Sequence, residues 1–285
     1  MIREVLVVIG AGGMGAAIAR RLAPGRHVVL ADCNAVALRS VARAMVDEGY
    51  DTVAHVIDVT DPSSVTDVAN AAADRGPVAA VAHTAGVSPA RASVSDILRV
   101  DLLGTAHVLD AFGDVIAPHG AGVIIASMAG TILGGELNNE DANLLATTPA
   151  EQLLDVLVIR ALLDSDGGIA DGRSMAYGIA KRGNQIRVQA AASQWGARGA
   201  RINSISPGVI STAMGRAELA DPATGEMISA LISSSPAGRV GTVGDIAAIA
   251  EFLLSAGAGF ITGTDVLADG GVVASKLTSQ LPVPV

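Results

Sequence analysis

Short runs of wholly apolar, β-branched residues alternate along the first half of the chain with longer Ala-rich stretches. Val5 to Ile9 has no polar interruption and predicts a strand buried on both faces. Gly13 to Ala23 predicts a helix that Pro24-Gly25 ends, Val28 to Ala31 a second strand and Ala35 to Glu48 a second helix. Val53 to Ile57 predicts a third strand, after which Asp61 stands as an N-cap with Pro62 at the first helical position. Val78 to Ala82 and Val123 to Ala126 continue the series. Unbroken apolar strands separated by helices imply a parallel sheet covered on both faces, and right-handed crossovers make it doubly wound. No linker, repeat or low-complexity block divides the chain, so one α/β domain over residues 1–285 is expected.

One stretch, at about residues 134–173, breaks the rhythm. Thr148-Pro149-Ala150-Glu151 predicts a capping box, and Leu153, Leu154, Leu157, Val158 and Ala161 follow at helical spacing until Asp164 to Gly168 ends the helix. Such an inserted apolar helix packs on the core, covers an apolar ligand as a lid, or meets another subunit.

Half of the 285 residues are apolar and 16% are charged, which excludes a disordered chain. The net charge of −9 and the 2% aromatic content argue against binding a phosphate backbone or stacking on bases, so no nucleic-acid partner is expected. The single cysteine permits no intrachain disulfide and suits a reducing cytoplasm. No signal peptide and no membrane-length apolar run is read.

Gly10-Ala11-Gly12-Gly13-Met14-Gly15 has the form G-x-G-x-x-G between the first strand and the first helix. Gly10, Gly12, Gly13, Met14 and Gly15 then form a turn that lets backbone approach a pyrophosphate at a helix N-terminus. The fold class is accordingly a Rossmann-type doubly wound sheet. Asp32 ends the second strand, 17 residues beyond Gly15, where a carboxylate accepts from the ribose hydroxyls of an adenosine. It would repel a 2′-phosphate, and neither Cys33 nor Asn34 compensates, so the cofactor expected is NAD rather than NADP. Asp58, with Val59 after the third strand, would reach the adenine amino group or serve as a turn residue before the next helix.

The chain has two tyrosines and two lysines, and Tyr177 and Lys181 stand four apart. On a helix that spacing puts both on one face, and its chance expectation is on the order of 0.01. An ammonium beside the phenol lowers a pKa that is ordinarily about 10 and makes it usable as an acid or base.

Taken in order, Gly10 to Gly15, Ala85-Gly86, Ser127 to Gly130, Tyr177 to Lys181, Arg201 to Gly208, Gly238 to Gly241, Thr262-Gly263 and Asp269 to Gly271 resemble the short-chain dehydrogenase/reductase family over nearly the whole chain. The resemblance implies that Ser127 bonds the substrate oxygen and Tyr177 is the general acid/base. Lys181 would bind the nicotinamide ribose and lower the tyrosine pKa. Ala85 and Gly86 join the cofactor site. Pro207, Gly208, Val209 and Ile210 line the nicotinamide pocket, and Thr212 holds the carboxamide. Three departures stand out. The glycine loop is one residue shorter than the family's usual form. Asp101 takes the place of an Asn that completes a proton relay with the lysine, which adds Asp101 to the catalytic candidates. Ser127 and Tyr177 are 50 residues apart instead of about a dozen, an enlargement that resembles bacterial 3α-hydroxysteroid dehydrogenase/carbonyl reductases. His83 is read as a packed strand-end residue, and Ser275 to Val285 as a tail that reaches a partner subunit or frays. The family pairs the helices of its fourth and sixth strands between subunits, so a homo-oligomer, dimer or tetramer, is expected.

The activity expected is NAD-dependent interconversion of a secondary alcohol and a ketone, on a small hydrophobic substrate such as a steroid, terpenoid or aryl ketone. The alternatives are reduction of a 3-oxoacyl thioester and a non-catalytic NAD-binding regulator.

Overall fold

The computed structural model describes residues 3–132, 137–164, 172–221 and 224–278. Seven parallel strands form one sheet in the order β3-β2-β1-β4-β5-β6-β7. They are β1 Val5–Ile9, β2 His27–Asp32, β3 Thr52–Val56, β4 Val78–His83, β5 Ile116–Ile125, β6 Arg201–Pro207 and β7 Asp265–Ala268. Every residue of β1 is fully buried, because helices cover both faces of the sheet centre. The register pairs Ile9 with Ala31 and His83, His83 with Ile124, and Ile124 with Ser204. The C-terminal ends of the central strands are thereby level, and the order reverses between β1 and β4, where such sheets hold their ligands.

Helices α1 Gly13–Leu22, α2 Ala35–Asp47 and α3 Pro62–Ala73 link the first four strands. Asp61 caps α3 through Ser63 N at 2.9 Å with Pro62 in the first turn, as the sequence predicts. After β4 the chain forms a short helix α4, Val94–Ile97, then a π-helical turn, Leu98–Leu103, then α5, Gly104–Val115. The widened turn carries Asp101. It presses on the long helix α9, Gly172–Ala197, so closely that a Cβ on Gly183 would lie 2.4 Å from Leu102 Cδ1. Trp195, near the end of α9, is buried and donates to the Leu109 carbonyl at 3.2 Å, which ties α9 to α5.

The inserted stretch departs from expectation. Its first described element after α6 (Met128–Ile132) is α7 at Asn139–Thr147, a helix the sequence reading missed, capped by Asn138. Thr148 ends α7 instead of capping the next helix. No side chain caps the tight 3-10 turn that follows, Ala150–Asp155, and Val156 separates it from α8, Leu157–Asp164. The buried guanidinium of Arg187 on α9 decides this. Its Nη1 donates to the carbonyls of Leu145 and Thr148, both at 2.9 Å, and fastens the end of α7 to α9. Leu153, Val156, Ile159 and Leu162 are buried, in one apolar group with Leu98, Leu102, Ala176 and Ile179. The inserted face therefore packs on the body, whereas Leu157 is 80% exposed and Ala161 is exposed too. The expected stop at 165–168, most of the expected tail and both margins of the insertion lie outside the described residues.

Candidate active site

The dinucleotide loop is shaped by close approach. Gly10 has φ +95°, and a Cβ there would stand 2.5 Å from Ala85 N. A Cβ on Gly15 would stand 1.8 Å from the Gly10 carbonyl. Gly12 is the N-cap of α1 and offers no side-chain oxygen, so the first N–H groups of the helix stay open. Thr212 borders this loop, since a Cβ on Gly13 would lie 3.4 Å from its Cγ2. The Thr212 hydroxyl oxygen accepts from Gly215 N at 3.0 Å and caps helix α10, Ala213–Ala220.

Asp32 ends β2 facing the loop. One carboxylate oxygen accepts from Ala11 N at 2.7 Å and the other from Asn34 N at 2.8 Å. Asp58 is exposed, and its Oδ1 accepts both Thr60 N and the Thr60 hydroxyl, so the turn alternative left open for it is realised on that oxygen. Val59 is buried, with its carbonyl bonded to His107 Nδ1 at 3.0 Å.

Tyr177 and Lys181 lie on one face of α9, with the Lys181 ammonium 5.4 Å from the centre of the phenol ring. The turn that carries Ser127 is pressed against the same helix, because a Cβ on Gly130 would lie 2.7 Å from Arg182 N. Gln185 buttresses this turn, its Nε2 donating to Thr131 Oγ1 at 3.2 Å and Ser206 Oγ at 2.8 Å. Asp101 meets Lys181 from the π-helical turn, Oδ1 to Nζ at 3.5 Å, with both side chains buried. The same oxygen accepts from Val87 N at 2.9 Å. Gly86 makes room for the pair, since a Cβ there would lie 2.7 Å from Asp101 Oδ1.

Electrostatics follow from burial. Desolvation pushes the Asp101 carboxyl up, and the Lys181 ammonium and the Val87 N–H pull it back. The Tyr177 phenol is pushed well above its usual value, first by desolvation and then by the Asp101 charge. The Ser127 hydroxyl acts downwards on it, and Glu218 on α10 adds a smaller upward push. His83 is the packed strand-end residue expected. Its Nε2 lies 3.2 Å from Thr105 Oγ1, whose own proton goes to the Asp101 carbonyl, so Nε2 carries the hydrogen. Burial, with the Lys181 charge second, holds its imidazole neutral, with a pKa down to about 3.

Sequence reading missed Glu218, Ser88, Gln185 and Arg187. Ser88 Oγ donates to the Glu218 carboxylate across 130 residues of chain, a pairing that no local pattern announces. Pro207 ends β6, and the Pro207–Thr212 segment runs from there to the glycine loop.

Known proteins share the family and the fold. The family model described as enoyl-(acyl carrier protein) reductase matches residues 9–142 and 157–273, and skips the second half of α7 and the turn before α8. A short-chain dehydrogenase/reductase of Alternaria brassicicola is 38% identical over 275 residues, covering 96% of this chain and 97% of that protein. A 3-alpha-hydroxysteroid dehydrogenase/carbonyl reductase of Comamonas testosteroni is 27% identical over 237 residues, covering 79% of this chain and 88% of its own. Among solved structures, a levodione reductase superposes with a TM-score of 0.73 at 25% identity, covering 96% of this chain and 98% of that one. The chain belongs to the short-chain dehydrogenase/reductase family, oxidoreductases that act on alcohols and ketones with a nicotinamide dinucleotide.

Proposed function

We propose that this member of the short-chain dehydrogenase/reductase family is an NAD-dependent enzyme that interconverts a secondary alcohol and its ketone, with Tyr177 as the proton carrier. The observation that supports this most is the meeting of a buried Lys181 ammonium with the Tyr177 phenol, 5.4 Å from ring centre to nitrogen, beside the Ser127 turn.

The loop fits a dinucleotide. Gly10 and Gly15 leave no space for a side chain, and the α1 N-terminus has open N–H groups. Gly10, Gly12, Gly13, Met14 and Gly15 would hold the pyrophosphate. Asp32 would hold the adenosine ribose, and Asp58 and Val59 the adenine end. Ala85, Gly86, Lys181, Pro207, Gly208, Val209, Ile210 and Thr212 would hold the nicotinamide end. Bound NAD supplies the hydride acceptor for alcohol oxidation and, when reduced, the donor for the reverse.

The chain's own groups handle the proton and the charge. In oxidation the Tyr177 phenolate oxygen takes the proton of the substrate hydroxyl, and in reduction the phenol returns it. The Ser127 hydroxyl donates to the substrate oxygen, where negative charge develops during reduction. The Lys181 ammonium favours the phenolate and Asp101 opposes it. Asp101 therefore acts through Lys181 as a positioning residue, and its negative charge moves the working pH for oxidation upwards.

Asp32 carries the cofactor preference. Each of its oxygens accepts one backbone N–H, which leaves lone pairs for ribose hydroxyls but meets a 2′-phosphate with like charge. Reduction of a 3-oxoacyl thioester would suit NADP and a basic surface for an acidic carrier, and the −9 charge and Asp32 speak against both. A non-catalytic NAD-binding regulator would have no need of Ser127, Tyr177 and Lys181 together. The inserted helix gives no support to a steroid-, terpenoid- or aryl-sized substrate, because its apolar face is core.

Calorimetric titration tests the reading. NAD should bind at least about tenfold more tightly than NADP, about 1.4 kcal/mol. Asp32→Ala should narrow that gap and also weaken NAD, since Ala11 N–H loses its acceptor. Equal or tighter binding of NADP by the unmutated protein contradicts the proposal.

A further inference from the structure

We propose that Glu218 reads the substrate, selecting neutral alcohols that carry a second hydroxyl beside the reacting carbon and turning away anionic ones. This rests on the oxidoreductase reading and narrows its substrate class.

Helix α10 contains no buried residue, and Met214 and Leu219 on it are 41% and 37% exposed. Apolar packing therefore does not hold it, and most helical stability in proteins comes from such packing. Polar ties hold it instead. Thr212 caps its start, and the Thr224 hydroxyl donates to the Glu218 carbonyl at 2.8 Å near its end. The Ser88 hydroxyl donates to the Glu218 carboxylate and joins the helix to the body. Ser88 is buried and stands one residue beyond Val87, whose N–H bonds Asp101. The Ser88–Glu218 contact thus joins α10 to the loop whose Val87 N–H meets the Asp101–Lys181 pair. Glu218 also acts electrostatically on that phenol.

Arg216, the basic residue of α10, is turned to the Ser211 carbonyl at 3.3 Å and leaves the carboxylate without a neighbouring cation on its own helix. A carboxylate offers about four lone-pair sites. Ser88 uses one of them. A substrate hydroxyl adjacent to the carbinol held by Ser127 and Tyr177 finds an acceptor in the rest. A substrate carboxylate in the same place meets like charge and loses the hydrogen bond.

The test compares three alcohols that share one reacting carbon: propylene glycol, isopropanol and lactate. In NAD-linked oxidation by the full chain, kcat/KM should fall in that order, with the diol about tenfold above the mono-alcohol. Glu218→Ala should abolish the diol's advantage, bringing kcat/KM for propylene glycol and isopropanol within about twofold of each other. Glu218→Gln, close to the native shape, should raise kcat/KM for lactate about tenfold. Ser88→Ala removes the tie without removing the carboxylate and should keep the ranking. A ranking unchanged in Glu218→Ala, with all three substrates lowered alike, means that Glu218 only fastens α10 and overturns the inference while the oxidoreductase reading stands. Equal use of diol and mono-alcohol by the unmutated enzyme overturns it as well. Failure to reduce NAD with these or any other secondary alcohol overturns both.

Discussion

Asp101→Asn removes one negative charge from a buried ion pair and keeps the shape of the side chain. The amide oxygen can still accept from Val87 N. Lys181 Nζ lies 3.5 Å from the carboxylate and 5.4 Å from the Tyr177 ring centre, so the carboxylate is at most about 9 Å from that ring. At an effective dielectric of about 20, a unit charge there opposes the phenolate by about 1.8 kcal/mol, a little more than one pK unit. The other groups facing this centre are unchanged by the substitution: His83 stays neutral, Ser127 keeps its hydroxyl and Glu218 keeps its charge. Losing Asp101 lowers the phenol pKa, so the phenolate forms at lower pH. The rise of kcat for alcohol oxidation should move down by about one pH unit. The fall of carbonyl reduction at high pH should move down with it, since reduction needs the phenol protonated. The variant will also be less stable, because removing one partner of a buried pair costs roughly 3–5 kcal/mol. Profiles are therefore measured below the melting transition of the variant. A profile that stays in place or moves to higher pH refutes the coupling of Asp101 to Tyr177 through this charge.

Two further expectations concern stability. His83 has a folded pKa of about 3 against about 6.5 in an unfolded chain, so below pH 6.5 the unfolded state binds a proton that the native state does not. Stability should then fall as pH drops from about 6.5 to 3, by about 1.4 kcal/mol per pH unit from this residue. His83→Asn should flatten that slope in denaturant titrations, and an unchanged slope contradicts the assignment of a buried neutral imidazole. In the insertion, Leu153→Ala should cost about 2–4 kcal/mol, as a core truncation does. Leu157→Ser, at an exposed site, should stay within about 0.5 kcal/mol. Denaturation midpoints that fall alike for both contradict the packing described for the insertion.

What was legible in the sequence was local. The run Val5 to Ile9, the spacing of Gly10 to Gly15, the Asp61-Pro62 cap and the four-residue step from Tyr177 to Lys181 each state their geometry within a few positions. The meeting of Asp101 with Lys181 was expected in kind, but its form depends on the π-helical turn at Leu98–Leu103, which no periodicity announced. The Thr148 capping box failed for a related reason. Its local rule competed with Arg187, which takes the Thr148 carbonyl from 39 residues away. The turn role left open for Asp58 is realised on one oxygen, which accepts from Thr60. Glu218 was illegible because its meaning comes from Ser88 and Tyr177, brought to it by the sheet order and not by spacing.

The central claim is that Tyr177 moves the proton in an NAD-linked alcohol–ketone exchange. The most direct test follows NAD reduction by absorbance with a panel of secondary alcohols, for the unmutated protein and for Tyr177→Phe, after NAD affinity has been measured for both. The account predicts turnover by the unmutated enzyme. Tyr177→Phe should bind NAD within about threefold of it and lose at least about a thousandfold in kcat. Turnover by Tyr177→Phe close to the unmutated rate, at matched NAD occupancy, would contradict it.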